Sequence, residues 1–570
     1  MSVFSSRSQF GLFILLRRLR YPLAVVVLVY AVAVLGFTLV PGVDPQGRPW
    51  TMSFLQAFYF ISILGTTIGL GEIPHPFSDL QRLWGTFAMY STVVSWLYAL
   101  GASFGVLQDP MFRRILHEGR VERAVKRLRE PFHLICGYDD AGSRVARELT
   151  EDGRRVVVVE IDAARADAVD IEDLTIQVPA LAGDASDPRT LILAGLTHPK
   201  CAGVVALTGD DHVNIKIALT ARLLNPDLPV LCAVRDHASH ARMAASGADH
   251  LINPDDTFAE RVALSIRTPS LHVIYESLTT QTGTAFDDVQ KLPRGRWLLC
   301  GFGPFTRALR RHLEHLGVQT VVVAAALDDS CDAANSVRGD PTDPAVLRDA
   351  DIEHATALVA GTPIDSDNLA IALAGRALNK RIFIIAREMR RRNVAVFRAA
   401  PVDLVTLSGY VIAAEVLGVI RTPQLWTFLR QARDRDEAWA AALLARMREV
   451  IGDEVVEPWS IECTPLVAPT VCEALGRREV VTIARLMLHT DLDTEPEPEP
   501  ERAVPLLLQR GPSRELLPAL DKTLEIGDRV LFCGRARARS AMRRLVLSHA
   551  LPALPPAPAP DAGSASLEST

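Results

Sequence analysis

Thr66-Thr67-Ile68-Gly69-Leu70-Gly71-Glu72 is the stretch on which the reading of this sequence turns. It closes an uncharged run, residues 50–71, that lies between two others, 21–40 and 83–108. Each outer run is long enough to cross a hydrocarbon core of about 30 Å. The middle one decides the topology. If it spanned as well, the two flanks would face opposite sides of the membrane. Arg7, Arg17, Arg18 and Arg20 precede the first run, and Arg113, Arg114, Arg120, Arg123, Lys126, Arg127 and Arg129 follow the last. Basic flanks favour the cytoplasm, so both belong on one side. The middle run must therefore enter and return: a short helix over 51–64, then a glycine-punctuated turn.

Irregular backbone at membrane depth persists only where protein buries it or water lines it. In Thr67-Ile68-Gly69-Leu70-Gly71 the glycines alternate, opening backbone conformations closed to other residues. Successive carbonyls can then face one way and replace an ion's water shell, with the Thr67 hydroxyl adding an oxygen below. The preceding helix points its negative end at that path, which favours a cation. In the second span, Gly101 is read as a gating hinge or as a packing position, and Gly105 follows it one turn later.

These residues resemble the filter of two-transmembrane potassium channels, which reads Thr-Val-Gly-Tyr-Gly-Asp. Both threonines and both glycines are kept, while Leu70 stands for the aromatic residue and Glu72 for the aspartate. Leucine cannot supply the hydroxyl bond that helps set the filter's width. The resemblance implies potassium as permeant ion and a homotetramer, because one filter strand cannot ring an ion.

The rest of the chain repeats itself. His133-Leu134-Ile135-Cys136-Gly137-Tyr138 returns as Trp297-Leu298-Leu299-Cys300-Gly301-Phe302, and Gly183-Asp184-Ala185-Ser186-Asp187-Pro188 as Gly339-Asp340-Pro341-Thr342-Asp343-Pro344. Asn214 matches Asn368, and Ile266-Arg267-Thr268-Pro269 matches Ile420-Arg421-Thr422-Pro423. Four matches in order indicate a tandem duplication. Short β-branched runs, such as 155–160, 203–207 and 230–234, alternate with helical segments, as in a parallel sheet covered by helices.

Each copy has a glycine-bearing turn after its first strand, the outline of a nucleotide-binding Rossmann unit. Neither fingerprint is intact. The first copy has Gly137 and Gly142 with Asp139 where a pyrophosphate needs a glycine, and Glu160 at the spacing of a ribose anchor. The second keeps Gly301 and Gly303 but has Thr306 for the third glycine and Ala324 in place of Glu160. Both copies resemble the regulator-of-potassium-conductance domain, TrkA-N-like, and the region around Ile526-Gly527-Asp528 resembles that family's C-terminal ligand-binding module. For the first copy three roles stay open: an adenine nucleotide (NAD(H) or ATP), scaffolding, or calcium on Asp184, Asp210 and Asp211. The calcium-gated members carry carboxylates at such loops. Asp favours helix caps and turns in any case, and Asp187, before Pro188, is read as one.

The expected fold class is a membrane α-helical pore domain, two spans plus a re-entrant pore loop, followed by two α/β Rossmann-like regulatory domains and a small α+β module. The divisions are a cytoplasmic N-terminus (1–20), pore domain (21–108), linker (109–130), first and second Rossmann-like domains (131–293 and 294–450), C-terminal module (451–550) and a disordered tail (551–570). At 49% apolar, 22% charged residues and a net charge of −6, the 570-residue chain is no general nucleic-acid binder. Its eight cysteines form no CxxC pair and read as buried thiols. No catalytic constellation is expected. The expectation is a ligand-gated potassium channel subunit in a bacterial-type inner membrane, multi-pass with both termini cytoplasmic. A membrane-anchored nucleotide sensor regulating a separate cation transporter is the alternative, and an NAD(P)-dependent oxidoreductase a more distant one.

Overall fold

A computed structural model describes residues 7–43, 47–68, 71–73, 75–235, 245–279, 292–327, 335–452, 455–488 and 502–548, with isolated positions between 236 and 244 and at 551. Residues 494–501 and the tail from 552 onward lie outside the described residues.

Two long apolar helices, α1 (Arg7–Leu39) and α3 (Asp79–Gln108), flank a short one, α2 (Phe54–Gly65). Within the long helices, Leu19–Leu39 and Asp79–Gly105 are apolar and long enough to cross a membrane. At twelve residues, α2 rises about 18 Å and cannot cross. It starts at Ser53, whose side chain accepts from the Gln56 amide while Gln56 accepts from the Ser53 amide, a capping box. Phe37, Ala57, Phe60, Ile61, Phe77 and Ala88 form one small core that joins all three helices. Gly36 permits their close approach, since a Cβ there would lie 2.0 Å from the Trp84 ring.

Helix α4 (Pro110–Lys126) follows α3 after one intervening residue. Its second half packs on the first parallel sheet, with Val121 and Val125 buried in that sheet's core.

That sheet is wholly parallel: β1 (Phe132–Cys136), β2 (Arg155–Glu160), β3 (Ala180–Ala182), β4 (Cys201–Ala206), β5 (Val230–Ala233) and β6 (His250–Ile252), in the order β3-β2-β1-β4-β5-β6. Its first helices are α5 (Asp140–Glu151), α6 (Ala163–Val169), α7 (Pro188–Leu193) and α8 (Asp211–Leu224), followed by α9 (Pro254–Arg267) and α10 (Pro269–Thr279). The second copy reproduces the order with β7 (Trp297–Cys300), β8 (Thr320–Ala324), β9 (Ser336–Arg338), β10 (Ala357–Ala360), β11 (Phe383–Glu388) and β12 (Leu404–Leu407), as β9-β8-β7-β10-β11-β12. Its helices include α11 (Pro304–His315), α12 (Pro344–Asp349), α13 (Asp365–Leu378), α14 (Val394–Ala399), α15 (Ser408–Arg421), α16 (Pro423–Ala432) and α17 (Glu437–Ile451). This is the Rossmann strand order.

The duplication extends to single hydrogen bonds. Asn214 Nδ2 donates to the Thr208 and Ala233 carbonyls, and Asn368 Nδ2 to those of Thr362 and Arg387. Thr268 and Thr422 break their helices at nearly equal angles (φ −135°, ψ 73° and φ −141°, ψ 75°).

The two copies exchange helices. Phe258, Val262 and Ile266 of α9 lie in the second copy's core with Trp297 and Phe305. Ile412, Ala413 and Val416 of α15 lie in the first copy's core with Val145 and Leu149. Arg387 Nη2 bonds Asp255 Oδ1 at 2.9 Å across this junction, with side chains only 12% and 8% exposed. A four-stranded antiparallel sheet closes the chain, built of β13 (Glu457–Glu462), β14 (Ala503–Arg510), β15 (Ser513–Leu516) and β16 (Arg529–Gly534). Its Val504 and Leu531 pack with Phe428 and Met447 of α16 and α17.

Candidate pore segment and regulatory cleft

The end of α2 sets the backbone of the filter-like segment. The Thr67 amide donates to the Leu64 carbonyl at 3.1 Å and the Ile68 amide to that of Ile63 at 3.3 Å. This is the Schellman pattern, which puts one residue in the left-handed region, usually glycine. Here that residue is Thr67, at φ 59°. A β-branched side chain there costs on the order of 1–3 kcal/mol. The amides of Thr67 and Ile68 thus complete the helix end. Gly71 also has positive φ, 83°. Gly69 and Leu70 lie outside the described residues. Beyond Gly71, Glu72 Oε1 accepts from Arg82 Nε at 2.8 Å, and Oε2 from the Phe77 amide at 2.8 Å. Sequence reasoning missed Arg82, whose ten-residue separation from Glu72 has no signature short of the fold.

Gly101 sits within the unbroken α3, and a Cβ there would meet nothing within 4 Å.

In the first Rossmann-like copy, the structure brings Gly137, Gly142 and Glu160 together. Gly137 has φ 100°, and a Cβ on Gly142 would lie 2.1 Å from the Gly137 carbonyl oxygen, so both positions require glycine. Glu160 ends β2, is buried, and accepts from the Tyr138 amide at 2.6 Å and the Asp162 amide at 3.0 Å. Asp139 caps α5, its Oδ1 accepting from the Ala141 and Gly142 amides. Its carboxylate therefore occupies the donors that a Rossmann pyrophosphate would use. In the second copy the equivalent cap is Gly303, which makes no side-chain bond.

Asp184, Asp210 and Asp211 are not drawn into one cluster. Asp184 accepts from the Ser186 amide and hydroxyl, Asp210 caps α8 through the His212 amide, and Asp211 accepts from the Arg235 amide. Asp187 caps α7. Among the described residues, no group of three or more His, Cys, Asp or Glu side chains is arranged to hold a metal ion.

One cleft lies between the first parallel sheet and α4. Its volume is about 820 Å³, and Ile161 after β2, Asp167 of α6 and Asp184 after β3 line it together with Arg114, His117 and Arg120 of α4. The Ala180 carbonyl and His117 Nε2 are 2.7 Å apart, pinning α4 to β3. Ile161 is 74% exposed, an apolar platform beside a basic helix.

An ion-channel family model matches residues 24–109, and a TrkA-N domain model matches 133–254 and 297–408. Potassium channel protein 1 of Methanocaldococcus jannaschii is 23% identical over 201 residues, covering 35% of this chain and 59% of that one. The voltage-gated potassium channel Kch of Escherichia coli is 24% identical over 213 residues, 36% of this chain and 48% of that one. The matched stretches cover between 35% and 59% of the first three curated relatives. A solved structure described as the GsuK channel bound to NAD aligns at 17% identity and a TM-score of 0.44, over 94% of this chain and 99% of that one.

Proposed function

We propose that this membrane protein, an ion-channel module carrying two TrkA-N domains, is the subunit of a homotetrameric, ligand-gated potassium channel. The re-entrant segment carries the reading: a helix too short to span, held between two spans, ends on a strained threonine and delivers Gly71 into a tethered turn. Thr67 stands where glycine is cheaper, and strain of this kind concentrates at functional sites. The matches to the ion-channel model and to potassium channels support the permeant ion.

Gating follows from the stiffness of the connection. α3 and α4 are separated by one residue, and α4 is built into the first regulatory core through Val121 and Val125. A ligand that prefers one arrangement of the regulatory domains biases the pore by its differential affinity. We assign the ligand to the first copy, as a nucleotide whose base rests on Ile161 in the cleft beneath α4, next to Glu160 at the end of β2. Asp139 argues against a pyrophosphate laid on the start of α5. Both termini then lie in the cytoplasm of a bacterial-type inner membrane.

Purified protein in liposomes with an outward potassium gradient tests this, with ATP, NADH and calcium added in turn. Potassium efflux that responds to a nucleotide is expected. Absence of cation flux under every ligand would sink the channel reading and leave a membrane-anchored sensor.

A further inference from the structure

The geometry points to Arg82 as a positioning residue for the filter, holding its outer end through Glu72 in place of the hydroxyl that Leu70 lacks. This inference rests on the pore reading.

Glu72 follows Gly71 directly, so wherever its carboxylate is held, the last filter residue is held too. Both carboxylate oxygens are engaged. Oε1 accepts from Arg82 Nε at 2.8 Å, and Oε2 from Arg82 Nη2 at 3.3 Å and from the Phe77 amide at 2.8 Å. The first two bonds form the fork that a guanidinium makes with a carboxylate and a lysine cannot.

The anchors themselves are fixed. Arg82 stands in the first turn of α3, next to Gln81, which is 1% exposed and donates to the Val40 carbonyl of the α1 end. Two residues on, Trp84 Nε1 donates to the Ala33 carbonyl at 3.1 Å. Phe77 is wedged between Phe60 of α2, at 5.0 Å between ring centroids, and Phe37 of α1, at 5.6 Å. Glu72 is therefore tied to all three helices. The substitution of glutamate for the family's aspartate suits this arrangement, because the added methylene lengthens the reach toward α3.

Exposed ion pairs add little stability, and Arg82 is 55% exposed at its side chain. The expected consequence is consequently one of filter geometry rather than folding. Selectivity depends on the arrangement and stiffness of the carbonyl ring, so loosening one end of the strand should let sodium compete.

The experiment is bilayer recording of the full chain, with reversal potentials in potassium against sodium. The variants are Arg82→Gln, Arg82→Lys, Glu72→Gln and the double variant Glu72→Gln/Arg82→Gln. Arg82→Gln should raise the sodium-to-potassium permeability ratio severalfold. Arg82→Lys should fall between it and the unmodified chain, and the double variant should be no worse than either single one. If Arg82→Gln does not assemble, Arg82→Lys, which keeps the charge and loses the fork, carries the test. Unmodified permeability ratios in the conducting Arg82 variants would overturn the assignment. An unmodified chain that passes no cation at all would instead overturn the pore reading.

Discussion

Thr67 stores strain that glycine would release. Thr67→Gly should raise the unfolding temperature of the detergent-solubilised protein, by a free energy of about 1 kcal/mol, while lowering potassium flux in the liposome assay. A gain in stability with unchanged flux would assign the strain no role in conduction. Asn214 and Asn368 make the opposite kind of contribution, since each satisfies two carbonyls in a buried setting. Replacing either with alanine should cost about 1–3 kcal/mol in denaturant unfolding, because the stranded carbonyls keep their desolvation penalty. Glu388 is buried with Oε1 unpartnered. Burial first, then the nearby Asp365 and Asp140 carboxylates, push its pKa from 4.5 up to about 7, against the pull of Arg398. Below pH 4.5 the group is protonated in both folded and unfolded chains. As pH rises through 7 the native state must carry the buried charge, so the stability present at low pH is lost. Glu388→Gln should therefore raise the unfolding temperature at pH 8 and change it little at pH 4.5. An equal effect at both values would assign the change to packing.

Among the elements, α3 and α4 are where the proposed coupling of regulation to a pore can be tested. Inserting two glycines after Gln108 should uncouple nucleotide from flux while leaving basal conduction, measurable in the same liposomes. Retained ligand response would mean the signal travels by another contact. Gly101→Ala should favour the straight helix by about 1 kcal/mol and shift open probability with and without nucleotide; unchanged gating would exclude a bend there. These positions differ in legibility. Gly101 can be named from sequence, because it lies in an apolar run. The burial of Val121 and Val125 cannot, since a basic segment with scattered valines reads as a solvated connector. Only the docking of α4 beside β3, pinned by His117 and the Ala180 carbonyl, turns one face inward.

At the scale of the whole molecule, the exchange of α9 and α15 makes the two regulatory copies a single pseudosymmetric body. Arg387 and Asp255 seal it in a setting nearly closed to water. Breaking a buried pair leaves one uncompensated charge, so Arg387→Met should cost about 3–5 kcal/mol, and Arg387→Met with Asp255→Leu much less. Thermal unfolding of both variants reads this directly. Equal losses would mean that Asp255 contributes by packing alone.

The order of charges and apolar runs by itself pointed to two spans with a short helix between them, and repeated motifs to a Rossmann unit that occurs twice. Both depend on solvent partition and on local periods that any stretch of chain carries within itself. The filter segment's alternating glycines were legible for the same reason. What occupies the space around them was decided by tertiary structure alone. The Schellman end that strains Thr67, the Arg82 fork on Glu72, the Asp139 carboxylate on its own helix and the crossed α9 and α15 all join groups whose meeting depends on packing, which sequence spacing does not encode.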